Sequence, residues 1–162
     1  MGQLYIFYVF ITLLIGVVSL GIATVDYLKT KEKLVQYYLY FHLSLTLLVA
    51  ADLLYVYVAI NIPQIPPFIP GALDYLNVFI AKYALMVTFP LFIHTFFNVP
   101  YAKKRNLIFA GLAGILCIAE HLFDFVFQAS FAETKAGDID DLVLMLVFFY
   151  GFVTGISEYK HL

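Results

Sequence analysis

The chain has 162 residues, 64% of them hydrophobic and only 12% charged, with a net charge of −2 and a mean hydropathy of +0.94. Soluble domains sit near half apolar and a quarter charged, so this is the composition of a chain that uses a bilayer as solvent. The balance leaves no broad cationic surface for nucleic acid, and the lone Cys117 excludes an internal disulfide or a cysteine-based zinc site.

A membrane helix needs about 20 mainly apolar residues to cross about 30 Å of hydrocarbon. Five stretches meet that requirement, which predicts an all-α polytopic membrane helix bundle forming a single transmembrane domain. Span 1 runs from about Leu4 to Leu28 and is closed by Lys29-Thr-Lys-Glu-Lys33. Its long apolar run, with no basic segment before it and no small-residue cleavage site after it, reads as a first span and not as a signal peptide. Span 2 covers about Leu34 to Ile60 and gives way to a proline-rich loop, Asn61 to Asp74. With prolines so dense, Ile62 to Pro70 is expected as an extended segment at the membrane interface.

Span 3 covers about Tyr75 to Val99, with Pro90 expected to kink it, and is followed by the basic turn Pro100-Tyr-Ala-Lys-Lys-Arg-Asn106. Span 4 runs from about Leu107 to Phe131 and leads into the acidic loop Glu133 to Asp141. Span 5 extends from about Leu142 to Lys160, and its Gly151-Phe-Val-Thr-Gly155 is a GxxxG pattern suited to internal packing or to a homodimer. Seven of the nine basic residues fall in the first and third loops and at the C-terminal end. By the positive-inside rule these are cytoplasmic, so the N-terminus is expected outside and the C-terminus in the cytoplasm.

Ionisable residues inside these spans are expensive and invite a functional reading. In span 4, Cys117, Glu120, His121, Asp124 and Gln128 follow one another at helical spacing. At about 1.5 Å per residue, Asp52, Lys82, Glu120 and Asp124 all fall at comparable levels in the outer half of the bilayer. Three carboxylates against one lysine do not balance. The expectation is that Lys82 pairs with Asp52, leaving Glu120, His121 and Asp124 to respond to a proton or ligand. A second polar set lies in the inner half: His42, His94, Tyr150, Thr154 and Glu158, with His161 beyond. For both sets the competing reading is a static network that holds helix register.

No HExxH, GxSxG, phosphate-binding or dinucleotide fingerprint is present, so an enzyme is not the favoured reading and no metal or cofactor is expected. The first span's ending, Asp26-Tyr-Leu-Lys-Thr-Lys-Glu-Lys33, followed by Leu34-Val-Gln-Tyr-Tyr-Leu-Tyr-Phe41, resembles the multi-span N-terminal regions of bacterial membrane-bound regulators. In those proteins aromatic-rich spans precede a cytoplasmic LuxR-type helix-turn-helix domain or a histidine kinase. The resemblance covers about Leu4 to Ile60. It implies a bacterial inner-membrane sensor, six or seven spans and an output domain, so that these 162 residues would be a segment of a longer chain. The expected function is a sensor or receptor-like module that passes a ligand or proton signal to a cytoplasmic effector or partner protein. The segment itself would touch lipid and not nucleic acid. The alternative is a small transporter, or a transporter subunit, using the intramembrane carboxylates.

Overall fold

The computed structural model describes residues 2–61, 66, 68–127 and 137–159, and every element among them is helical. In chain order these are α1 (Gly2–Thr30), α2 (Lys33–Asn61), α3 (Phe68–Tyr75), a π-helical segment (Leu76–Lys82), α4 (Tyr83–Phe96), α5 (Ala102–Phe127) and α6 (Gly137–Tyr159). Four helices carry windows long and apolar enough to cross a membrane: Phe10–Thr30, Lys33–Tyr55, Ala102–Leu122 and Ile139–Tyr159. Ile80–Phe96 adds a shorter apolar helix, giving four to five candidate spans.

Only 6% of the α1 window is buried, although its mean hydropathy is 2.0. Phe7, Phe10, Leu14, Ile15, Ile22 and Val25 all stand exposed. In water such a continuous apolar surface would drive aggregation, whereas in a bilayer it meets hydrocarbon at no cost. This exposure, together with helix length, makes an integral membrane protein the natural class.

The chain divides into two compact units, Met1–Leu85 and Met86–Leu162. In the first, α1 and α2 form an antiparallel hairpin joined by Lys31 and Glu32 alone. The turn is made by Lys31, whose φ of 55° is left-handed and whose N–H donates to the Tyr27 carbonyl at 2.9 Å. The Thr30 hydroxyl donates to the Asp26 carbonyl at 3.0 Å and accepts the Glu32 N–H at 3.3 Å. Lys31 folds its ammonium back over the Tyr27 ring, 5.0 Å from the centroid. Small residues let the two helices approach: Ala23 and Ala51 are buried, and Gly16 leaves room for Thr46. The other face of α2 packs on α3 and on the π-helical segment.

Several boundaries differ from the expectation. Helical structure resumes at Phe68, so the extended proline segment does not reach Pro70, while Ile62 to Ile65 and Pro67, also expected to be extended, lie outside the described residues. Pro70 is tolerated because it falls in the first turn of α3, where backbone N–H groups have no helical acceptor to lose. Asp140 and Asp141, expected in a loop, belong to the first turns of α6, where negative charge complements the helix dipole. α5 starts at Ala102, so Lys103, Lys104 and Arg105 are helical and not part of the loop. Pro90 sits inside α4 without ending it, and it is fully buried.

Candidate functional site: a histidine joining three helices

The second unit is organised around His94, which is 1% exposed. It lies two residues before the end of α4, on a face shared with the fully buried Met86 and Pro90. The helix stops just beyond it in a Schellman arrangement. The Val99 N–H donates to the His94 carbonyl at 2.9 Å and the Asn98 N–H to the Thr95 carbonyl at 3.3 Å. Asn98 takes the left-handed position with φ of 50°. Val99 is buried behind it, and Pro100 prevents the helix from continuing. A second left-handed residue, Tyr101 with φ of 58°, starts α5, its carbonyl accepting the Lys104 and Arg105 N–H groups at 3.0 and 3.1 Å. The connection is therefore short enough to bring Arg105 and Asn106 back beside His94.

Both ring nitrogens of His94 are engaged. Nδ1 donates to Asn106 Oδ1, and Nε2 accepts from the Tyr150 hydroxyl at 2.8 Å. The Tyr150 oxygen in turn accepts from Arg105 Nη1 at 3.2 Å. The result is a directed chain, Arg105 to Tyr150 to His94 to Asn106, that ties α4, α5 and α6 together with one imidazole. Phe109 shields it, its ring 6.1 Å from that of His94 and 4.9 Å from that of Tyr150. In a low-dielectric setting each bond is stronger than in water, and each broken bond leaves a costly buried group. Chemically, the ring can take a proton on Nε2 only if the Tyr150 hydroxyl turns its own hydrogen elsewhere.

The predicted inner-half set is therefore partly brought together. His94 meets Tyr150, and Thr154, one turn further along α6, is buried at 7% exposure. Glu158 lies another turn on and is half-buried, while His161 falls outside the described residues. His42 is in the first unit. Its ring stacks edge-on against Tyr38, with centroids 4.4 Å apart. His42 Nδ1 and, one turn away, Thr46 Oγ1 are buried without hydrogen-bond partners among the described residues. Asn106 and Arg105 do not stand out in the sequence. A basic residue and an amide one helical turn past a loop are ordinary, and only their spacing from His94 across the turn could have flagged them.

The outer-half set is distributed differently. Asp52 on α2 and Lys82 on the π-helical segment are both half-buried in the first unit, on elements that pack together. Lys82 is the last residue of the π segment, which ends where the Tyr83 N–H donates to the Ile80 carbonyl. With α3 starting at Phe68, Lys82 lies deeper along its helical run than its predicted position, by about two turns. Glu120 belongs to the second unit and is 2% exposed, seven residues from the buried Ala113 on the inward face of α5. Its neighbour His121 is exposed, because adjacent helical residues diverge by about 100°. His121 Nδ1 donates to the Cys117 carbonyl at 3.0 Å on its own helix. The stripe read along span 4 thus splits into a buried acid and an exposed histidine. Asp124 continues α5, and its side chain, like Gln128, lies outside the described residues. Another carboxylate, Asp140 of α6, is buried at 3% and accepts the Asp141 N–H at 2.9 Å.

Among the described residues no group of three or more histidine, cysteine or acidic side chains is placed to hold a metal ion. The fold and site define an all-helical protein with four to five candidate membrane spans and a buried polar joint. No family model matches the chain, and comparison with curated proteins and with solved structures returns no match.

Proposed function

We propose that the protein is a membrane sensor module in which a proton or ligand event within the spans is passed to residues 97–105, the connection to α5 and that helix's basic first turn. The observation that carries this reading is the His94 ring, bonded at both nitrogens to two different helices and linked through Tyr150 to Arg105. Protonating the imidazole turns the Tyr150 hydroxyl from donor to acceptor, and displacing the ring breaks its bonds to Asn106 and Tyr150 together. The nearest exit for that change is the short connection with left-handed Asn98 and Tyr101, which leads into Lys103, Lys104 and Arg105 on the first turn of α5. In this reading the N-terminus is outside, the C-terminus and the basic loops are cytoplasmic, and the membrane is the bacterial inner membrane. The receiver is a cytoplasmic effector domain or partner protein.

The deeper acids belong to the same proposal. Lys82 neutralises Asp52, supported by the packing of α2 on the π segment, while Glu120, with His121 and Asp124, supplies the proton- or ligand-responsive group. Hydrogen exchange of residues 97–106 in micelles, compared at pH 5 and pH 8, tests the coupling. Protection is expected to fall several-fold on acidification in the wild type and to be insensitive to pH in His94→Gln. An equal response in both proteins would remove His94 from the pathway.

A transporter is the second reading, favoured by one observation. The seven-residue π-helical segment ending at Lys82 is longer than the single-turn bulges usually found in helices, and such irregular backbone marks binding sites in transporter spans. Solute uptake into vesicles that is lost in Lys82→Met or Glu120→Gln would favour it over the sensor.

A further inference from the structure

The second unit carries a groove of about 600 Å³ between α4 and α6. Its walls include Phe89, Phe97, Phe148 and Tyr159, and its floor is formed by Gly151 and Gly155. Apart from the tyrosine hydroxyl, the lining is apolar. The volume lies within the range of sites that hold small molecules. Along α6 the groove spans Phe148 to Tyr159, about 16 Å at 1.5 Å per residue, close to the roughly 15 Å hydrocarbon depth of one leaflet. The groove is thus long enough to hold the hydrocarbon of one leaflet.

Past Phe97, across the short connection to α5, the charge is positive. Lys103 and Lys104 are exposed, six and seven residues beyond Phe97, on the first turn of α5. Cations at a helix N-terminus oppose the helix dipole, so α5 itself gains nothing from having them there. A Cβ on Gly151 would overlap the Phe89 ring, and one on Gly155 would lie 3.3 Å from Phe97, so these glycines already receive side chains of their own unit.

We propose that the groove binds one acyl chain of an anionic phospholipid from the leaflet adjoining the basic loop, with its headgroup held by Lys103 and Lys104. The occupant's length, polarity and charge follow from the groove's depth, its lining and the two lysines. The protein, purified in a mild detergent, is offered palmitoyl-oleoyl phosphatidylglycerol or phosphatidylcholine and analysed by native mass spectrometry. One phosphatidylglycerol should be retained per chain, with about a thirtyfold preference over phosphatidylcholine from two lysines near a headgroup. Lys103→Ala with Lys104→Ala should abolish the preference but leave lipid bound. Ile93→Trp, which fills the groove, should abolish retention of either lipid, while Ile115→Trp on the exposed face of α5 should not. Ile156→Trp, at a half-exposed lining position, serves in place of Ile93→Trp should that variant fail to fold. Equal phosphatidylglycerol retention in the groove-filling variants would overturn the proposal. So would a lipid-free dimer dispersed by them, which would give the groove to a second copy of the chain.

Discussion

At the scale of single residues, His94 on α4 is bonded to both α5 and α6, and its removal strips partners from both. Truncating it to alanine leaves Asn106 Oδ1 and the Tyr150 hydroxyl without their partner in a buried setting, each at about 1–3 kcal/mol. His94→Ala is expected to destabilise the protein by about 3 kcal/mol, measured by denaturant unfolding in micelles. Tyr150→Phe should cost about 1 kcal/mol, since interhelical hydrogen bonds within membranes average below that and rarely reach 2. A His94/Tyr150 double-mutant cycle should return a favourable coupling, and additive effects would argue against a shared bond. Thr46 presents the opposite case. Its hydroxyl is buried without a partner among the described residues, so Thr46→Val keeps the shape and removes a desolvated polar group. That substitution should be neutral or stabilising, by up to about 1 kcal/mol in the same assay.

At the scale of elements, the glycines separate into two kinds that composition cannot distinguish. Gly151 receives the Phe89 ring, whereas a Cβ added at Gly111 or Gly114 on α5 would have nothing within 4 Å. Gly151→Ala should destabilise by about 1–3 kcal/mol through overpacking, and pairing it with Phe89→Leu should restore most of the loss. Gly111→Ala and Gly114→Ala should change stability by less than about 0.5 kcal/mol, because the added methyl meets open space. Thermal unfolding of the four variants in one detergent checks the contrast. The π-helical segment belongs to this scale too. Nothing in Leu76-Asn-Val-Phe-Ile-Ala-Lys82 announces a shift in backbone register, since that shift depends on how the run fits against α2.

At the scale of the whole molecule, the two basic turns set the expected orientation. Cysteines introduced at position 31 or position 104 of a chain lacking Cys117 should react with an impermeant maleimide only from the cytoplasmic side, and labelling from outside would invert the topology. The membrane class and the helices themselves were legible from the chain, because long apolar runs are a local property imposed by the solvent. His42, His94, Thr154 and Glu158 stood out in the sequence, because ionisable and polar groups are conspicuous among apolar residues. Their partners did not. In a bilayer the lipid-facing and inward faces of a helix are both apolar, so periodicity reports weakly which way a side chain points. Glu120 and His121 therefore looked like one stripe, and only the rotation of α5 separated a buried acid from an exposed imidazole. Arg105 and Asn106 became partners of His94 through the left-handed turns at Asn98 and Tyr101, which fold α5 back within reach of α4. Sequence alone thus determined which segments are long and apolar enough to cross a membrane and which residues would be costly there. Tertiary structure decided which of those residues meet, because helix rotation and turn geometry are set by packing between elements and not by the composition of any one of them.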